Sequence, residues 1–269
     1  MTDFIENAAR NLELVRERKP LVHNITNYVV MNSTANALLA AGASPVMAHA
    51  INEVEEMVAI AGALVLNIGT LDDAWVASMV RAAARASALG KPIVLDPVGA
   101  GATRLRTDAS KTIIAEAAPA VIRGNASEVL ALGDGVFDTK GVDSVHDVAD
   151  AAASASALAR ELGTVLAITG PEDLVTDGRR TVRIVNGHRL MGAVTGTGCT
   201  ATALVGAFLA VDVDPLSAAA TALAYYGLAG EVAATRAAAP GSYAVALIDA
   251  LYTIDGEKLR AGARIAEEG

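Results

Sequence analysis

The sequence predicts an α/β protein in three layers (αβα), a mostly parallel central sheet with helices on both of its faces. Two observations carry that expectation. Short β-branched runs alternate with longer amphipathic ones through the first two thirds of the chain, the rhythm of successive β-α-β units. Each of the first six short runs is followed at once by a cluster of polar and glycine residues. In an open parallel sheet, ligands bind at the loops beyond the carboxyl ends of the strands.

In chain order, a strand at 20–23 runs into Asn24-Ile-Thr-Asn27 and a helix at 28–41. A strand at 43–47 runs into Ala48-His49 and a helix at 52–61, and one at 63–67 into Ile68-Gly69-Thr70 and a helix at 72–89. The strand at 92–96 precedes Pro97-Val-Gly-Ala-Gly101 and a helix at 104–118. The strand at 120–123 precedes Gly124-Asn-Ala-Ser-Glu128, and a helix at 143–162 leads to the strand at 164–169 and Gly170-Pro-Glu-Asp173. Runs near 174–176 and 182–185, joined by Asp177-Gly178-Arg179, read as a hairpin at one edge of the sheet. From 200 to 252 the pattern is almost entirely helical. No Pro/Ser-rich linker or internal repeat interrupts the chain, so a single domain over 1–269 is expected.

Composition narrows the function. A net charge of −9 argues against a general nucleic-acid binder, which needs a basic face. No apolar run reaches the roughly 18 residues of a membrane span, and the N-terminus lacks the basic start and apolar segment of a secretory signal. One cysteine leaves no internal disulfide, which fits a cytoplasmic location. The mean hydropathy of +0.41 is high for a soluble monomer, so part of the surface is expected at a subunit interface.

Thr195-Gly196-Thr197-Gly198-Cys199 runs straight into the apolar stretch Thr200-Ala-Thr-Ala-Leu-Val. Glycines at 196 and 198 let the backbone turn tightly and approach a ligand. A helix starting there has unpaired N–H groups and a partial positive charge at its first turn, so it is expected to hold a phosphate. Cys199 falls in or just before that turn. Read as packing, it is a small buried hydrophobe. Read as chemistry, the helix end lowers its thiol pKa. It then serves either as an acyl-transfer nucleophile, which needs a base such as His23 or His49, or as a group that receives or orients a hydroxyl proton during phosphoryl transfer.

Asp96-Pro-Val-Gly99-Ala-Gly101 lacks the third glycine of a dinucleotide fingerprint, whose place Arg104 takes, and no Gly-Lys-Ser/Thr of a P-loop occurs. Asp96 reads either as a turn cap or as a carboxylate that holds Mg²⁺. Asn125-Ala-Ser-Glu128 has capping-box spacing. Arg123 just before it offers a planar fork to phosphate oxygens, and Glu128 can serve a metal as well as a cap. Histidines 23, 49, 146 and 188 show no metal-binding spacing; His23 and His49 sit at strand ends and His188 in a turn.

Together these motifs resemble those of the hydroxyethylthiazole kinases, a family of the ribokinase-like superfamily. The match runs in order through His23-Asn-Ile-Thr-Asn-Tyr-Val-Val, Gly42-Ala-Ser-Pro-Val-Met-Ala-His, Leu64-Val-Leu-Asn-Ile-Gly-Thr, Leu95-Asp-Pro-Val-Gly-Ala-Gly-Ala-Thr, Ile122-Arg-Gly-Asn-Ala-Ser-Glu and Val194-Thr-Gly-Thr-Gly-Cys. It covers nearly the whole chain. It departs at Tyr243, where the family more often has Phe after Gly-Ser, and matches only in character over 144–160.

The resemblance implies a ribokinase-like fold and ATP-dependent phosphorylation of the primary alcohol of 4-methyl-5-(2-hydroxyethyl)thiazole, in thiamine salvage. It places Asn27, Val29, Met47 and Gly196 around the thiazole, Arg123 and Thr169 with Asn125 at the nucleotide, and Asp96 and Glu128 at Mg²⁺. Cys199, with Gly196 and Gly198, forms the catalytic loop; most of the superfamily has Asp at the cysteine position. Family members are trimers with active sites at subunit boundaries. The rival readings are a related small-alcohol kinase such as a hydroxymethylpyrimidine kinase, an NAD-dependent oxidoreductase and a non-catalytic nucleotide sensor.

Overall fold

The strand order reverses at one point, and that point positions the site. The computed structural model describes residues 3–133 and 147–268. Strands β1 (Leu21–Ile25), β2 (Ser44–Val46), β3 (Ala63–Asn67), β4 (Ile93–Asp96), β5 (Val121–Gly124) and β6 (Val165–Ile168) are parallel. β7 (Asp173–Thr176), β8 (Thr181–Ile184) and β9 (Ile265–Glu267) continue the sheet antiparallel, giving the order β2-β1-β3-β4-β5-β6-β7-β8-β9 among the described residues. From β1 the chain steps outward to β2 and then back past β1 to β3. The loops after β1 and β3 therefore diverge and leave a crevice at the carboxyl edge.

Two cores, one on each face, follow from the period-2 alternation of the strands. Val22, Val65, Val94, Val121 and Ala167 face a layer built from α1 (Phe4–Arg18), α2 (Met31–Ala41), α8 (Thr197–Leu209), α9 (Pro215–Ala234) and α10 (Pro240–Thr253). Leu64, Leu66, Ile93, Leu95, Ile122 and Leu166 face α3 (Val54–Ile60), α4 (Asp73–Ala88), α5 (Arg104–Ala117), α6 (Ala126–Leu130) and α7 (Asp147–Leu162). Helix α11 (Gly256–Gly262) closes against α1. Helix α8 lies directly on the sheet: a Cβ at Gly206 would sit 2.6 Å from Val65 Cγ2, so only glycine permits that approach.

The expected strands and helices are present, with ends displaced by one to three residues. Three differences have a physical cause. β1 runs on to Ile25, because Asn24 and Ile25 pair with Val65 and Leu66 of β3, so Asn24 belongs to the strand and not to the loop. The β7–β8 hairpin is not at the sheet edge; β9, too short and polar to give a periodic signal, pairs outside it. Helices α1 and α11 lie before the first and after the last segments that the β-α rhythm takes in, so that rhythm misses them. Phe4, Ala8, Leu12 and Val15, spaced along one buried face behind the Asp3 cap, are the signal for α1. The expected helix start at 143–146, and His146 with it, lies outside the described residues.

Candidate active site

Continuing the alternation by one step past each of these four valines and Ala167 brings a polar residue to the α8 face at the carboxyl end of five neighbouring strands. They are Asn24 after Val22, Asn67 after Val65, Asp96 after Val94, Arg123 after Val121 and Thr169 after Ala167. The start of α8 lies over this row. Gly196 forms its N-cap with φ 82°, a left-handed conformation that glycine adopts without strain, and no side chain caps the helix there. The first amides of the helix are left for a ligand. Gly196 packs against Val30, beside Asn27.

The row is joined by hydrogen bonds. Asp96, 1% exposed, accepts from Asn67 Nδ2 at 2.8 Å and from Thr202 Oγ1 at 2.7 Å, both on Oδ2. Asn67 Oδ1 accepts from Asn27 Nδ2 at 2.8 Å, and the same Nδ2 lies 3.5 Å from Cys199 Sγ. Arg123 Nη1 stands 3.8 Å from Asp96 Oδ2, while Nη2 donates to Thr169 Oγ1. Gly198 lies over the Arg123 guanidinium. Burial pushes the Asp96 carboxyl up to about 6, against the pull of Arg123 and the two hydrogen bonds. Beside Arg123, a cavity of about 500 Å³ is lined by Thr169, Met191, Thr197, Gly198, Leu223 and Tyr226.

Asn125 and Glu128 form the expected capping box: Asn125 Oδ1 accepts from Glu128 N at 2.9 Å, and Glu128 Oε2 accepts from Asn125 N at 3.0 Å. Glu128 Oε1 also accepts from Gly99 N at 2.8 Å, which ties the loop after β4 to the start of α6. Asp96 Oδ1 has no hydrogen bond among the described residues, and the negative charge of Glu128 contributes to the raised Asp96 pKa. No group of three or more His, Cys, Asp or Glu side chains converges on one point among the described residues. Two carboxylates with free lone pairs beside an anion site suit Mg²⁺, which keeps water and binds through substrate phosphates rather than in an all-protein cage.

Three expectations change. The Cys199 thiol is pushed up, not down: burial and the nearby Asp96 charge outweigh the amides of Asn67 and Asn27 and the charge of Arg123. The base required for an acyl-transfer cysteine is also missing. His23 is fully buried within β1, its Nε2 is 2.6 Å from the Ala48 carbonyl, and burial lowers its pKa. His49 stacks on Trp75 with centroids 4.1 Å apart. Neither bonds to Cys199 among the described residues. His188, expected in a turn, instead has extended backbone and caps the 3₁₀ helix Arg189–Ala193, its Nδ1 accepting from Leu190 N.

Of the substrate-side residues, Asn27 lies within the network and its Oδ1 accepts from Val29 N at 3.1 Å. Val29 itself is 63% exposed, and Met47 is half-buried just past β2, beyond β1 from Asp96. Three positions that build this edge of the sheet escaped the sequence reading. Asn67 ends a strand that looks wholly apolar, and Thr202 hides inside an apolar helix. Arg106 donates to the carbonyls of Ile68, Val98 and Gly69 at 3.2, 2.7 and 2.7 Å, clamping the loops after β3 and β4. Its signal, one of two arginines in the first turn of α5, is not distinctive.

Residues 12–257 match the profile of the hydroxyethylthiazole kinase family. The chain belongs to that family. It is a kinase. A hydroxyethylthiazole kinase of Desulfotalea psychrophila is 63% identical over 99% of this chain and 98% of its own length. The solved structure of a hydroxyethylthiazole kinase protein from Pyrococcus horikoshii is 50% identical, with a TM-score of 0.90 over 97% of this chain and 99% of its own. A ribokinase-like superfamily protein of Enterococcus faecalis, 13% identical, superposes with a TM-score of 0.64 over 93% of this chain and 94% of its own. The last shows the fold alone, and that fold is ribokinase-like.

Proposed function

We infer that this kinase transfers the terminal phosphoryl group of ATP to the primary hydroxyl of hydroxyethylthiazole, giving the phosphate ester and ADP, in thiamine salvage. The observation that carries the reading is the uncapped start of α8 above Arg123 and Asp96. Main-chain amides, a guanidinium fork and a carboxylate there face one small volume, in a chain of this family.

Phosphoryl transfer runs through a loose transition state, so placement and charge stabilisation carry most of the catalysis. Arg123, with Thr169 fixing one arm of its fork and Asn125 nearby, takes the nucleotide phosphates. The amides from Gly196 to Cys199 take the transferring group. Asn27, Val29, Met47 and Gly196 form the alcohol side. Asp96 and Glu128 are the residues that would hold Mg²⁺, which when bound offsets phosphate charge. A neutral thiol at Cys199 orients the alcohol rather than stripping its proton, and weak bonding to the nucleophile at a loose transition state requires no more.

The exposed Tyr28 and Val29 beside the alcohol side, at 59% and 63%, support a homotrimer whose neighbouring subunit completes the pocket. One continuous sheet supports a single kinase domain. The lone cysteine supports a cytoplasmic location, and no helix among the described residues is long and apolar enough to cross a membrane. A coupled assay for ADP release across a panel of heterocyclic alcohols tests the function. Turnover with hydroxyethylthiazole is expected. Selective turnover of a hydroxymethylpyrimidine would reassign the substrate, and no ADP release from any alcohol would leave the sensor reading.

A further inference from the structure

We propose that Asn67 is a positioning residue that transmits the orientation of the Asp96 carboxylate, through Asn27, to the sulfur of Cys199. The inference rests on the kinase reading for its kinetic consequence but not for its structural one. Asn67 is 1% exposed at the end of β3, in register with Asp96 on β4. A primary amide can face a neighbour with either its oxygen or its NH₂ group, and sequence does not specify which.

Here every link after the first is forced. Asp96 Oδ2 only accepts, so Asn67 must turn Nδ2 toward it, at 2.8 Å. Asn67 Oδ1 then points the other way, where it accepts from Gly69 N at 3.0 Å and from Asn27 Nδ2 at 2.8 Å. Asn27 is held in turn, because its Oδ1 already accepts from Val29 N at 3.1 Å. Its NH₂ group is left facing Cys199 Sγ at 3.5 Å. The sulfur therefore receives a hydrogen bond, and its own S–H is free to turn toward the alcohol side of the site. Reversing Asn67 would place oxygen against oxygen at Asp96 and NH₂ against NH₂ at Asn27. A buried mismatch of that kind is costly. Asp96 and the Gly69 and Val29 amides thus agree on one polarity for the two side-chain amides that run from the carboxylate to the thiol.

Two variants test this. Asn67→Leu keeps the shape but removes donor and acceptor together, and Asn67→Ala also removes the bulk; if the first does not fold, the second carries the same readouts. The first readout is the pH midpoint of the rate of thiol alkylation in the metal-free protein, which reports Cys199 because the chain has one cysteine. Asn27 keeps its Val29 anchor but loses the Asn67 oxygen, and the thiol loses the lowering effect of the Asn67 amide itself, so this midpoint is expected to move upward in both variants. Simple loosening of the packing would expose the buried thiol and move it downward toward the free-thiol value, so a downward or absent shift overturns the proposal. The second readout is a kinetic split: kcat with hydroxyethylthiazole is expected to fall about 10²-fold, the scale of a small misplacement in a reacting geometry. KM for ATP should stay within about twofold of the parent. Parental kcat in both variants would also overturn it. If the parent protein turns over no thiazole alcohol, the functional reading fails, and the alkylation midpoint still decides the role of Asn67.

Discussion

Thr202 and Asp96 meet across the boundary between helix and sheet: the hydroxyl, in the second turn of α8, donates to the buried carboxylate at the end of β4 at 2.7 Å. This bond docks the uncapped start of α8 on the strand that carries Asp96. The same hydroxyl lies 3.3 Å from the Gly198 carbonyl one turn earlier in α8, but its single hydrogen goes to the nearer Asp96 oxygen. Thr202→Val preserves shape and removes the donor. It is expected to destabilise the protein by about 1–3 kcal/mol, the usual effect of leaving a buried acceptor short of a partner. An unchanged urea midpoint would show that the bond contributes nothing to docking the helix.

A side chain at Gly198 collides with Arg123. A Cβ there would sit 2.6 Å from Nη1 and 3.2 Å from Nη2, and the guanidinium is held in place by Thr169. In Gly198→Val the arginine must leave the anion site while the hydrophobic core is untouched. Activity is expected to fall by at least about 10²-fold, the effect of losing one oriented donor, with little change in Tm. Near-parental steady-state kinetics in this variant would remove the helix start from the mechanism.

Cys199 should behave as a hindered, neutral thiol. Because burial and Asp96 raise its pKa, less thiolate is present at any given pH than in a free cysteine. Alkylation by iodoacetamide is expected to be slow at neutral pH and still rising at pH values where a free thiol has reached its plateau. Cys199→Ala should retain measurable turnover, with a loss smaller than about 10²-fold, since the amide cradle survives. Fast labelling at neutral pH, together with complete loss of activity in the alanine variant, would point instead to an activated thiolate.

Glu128 has two candidate duties that one substitution separates. Its oxygens accept from Asn125 N and Gly99 N, which is sufficient for a cap and a loop tie. Glu128→Gln keeps an acceptor and removes the charge. If the carboxylate also serves Mg²⁺, the concentration of Mg²⁺ giving half the maximal rate should rise several-fold while the far-ultraviolet circular dichroism stays unchanged. The same half-saturation in both proteins would leave Glu128 as a cap only.

Much of this site is local in origin and was legible before folding. The glycines at 196 and 198, the Asn125–Glu128 box and the carboxylate ending an apolar strand each have a meaning within a few residues. Cys199 shows where such reading stops. Its helix position argues for a lowered pKa, and burial beside Asp96 reverses the sign. Burial and the charge of a residue about a hundred positions away do not appear in a local pattern.

By itself, the sequence determined the alternation of strands and helices, the loop edge that carries the chemistry, and the family, because these depend on side-chain period and short motifs. The tertiary structure alone decided that β1 and β3 part at the crevice, that Thr202 docks on Asp96, and that Asn67 joins Asp96 to Asn27. The reason is physical: parallel strands meet in a register set by packing on two faces. That register brings together single polar atoms from residues far apart in the chain, whose roles depend on which partner they meet.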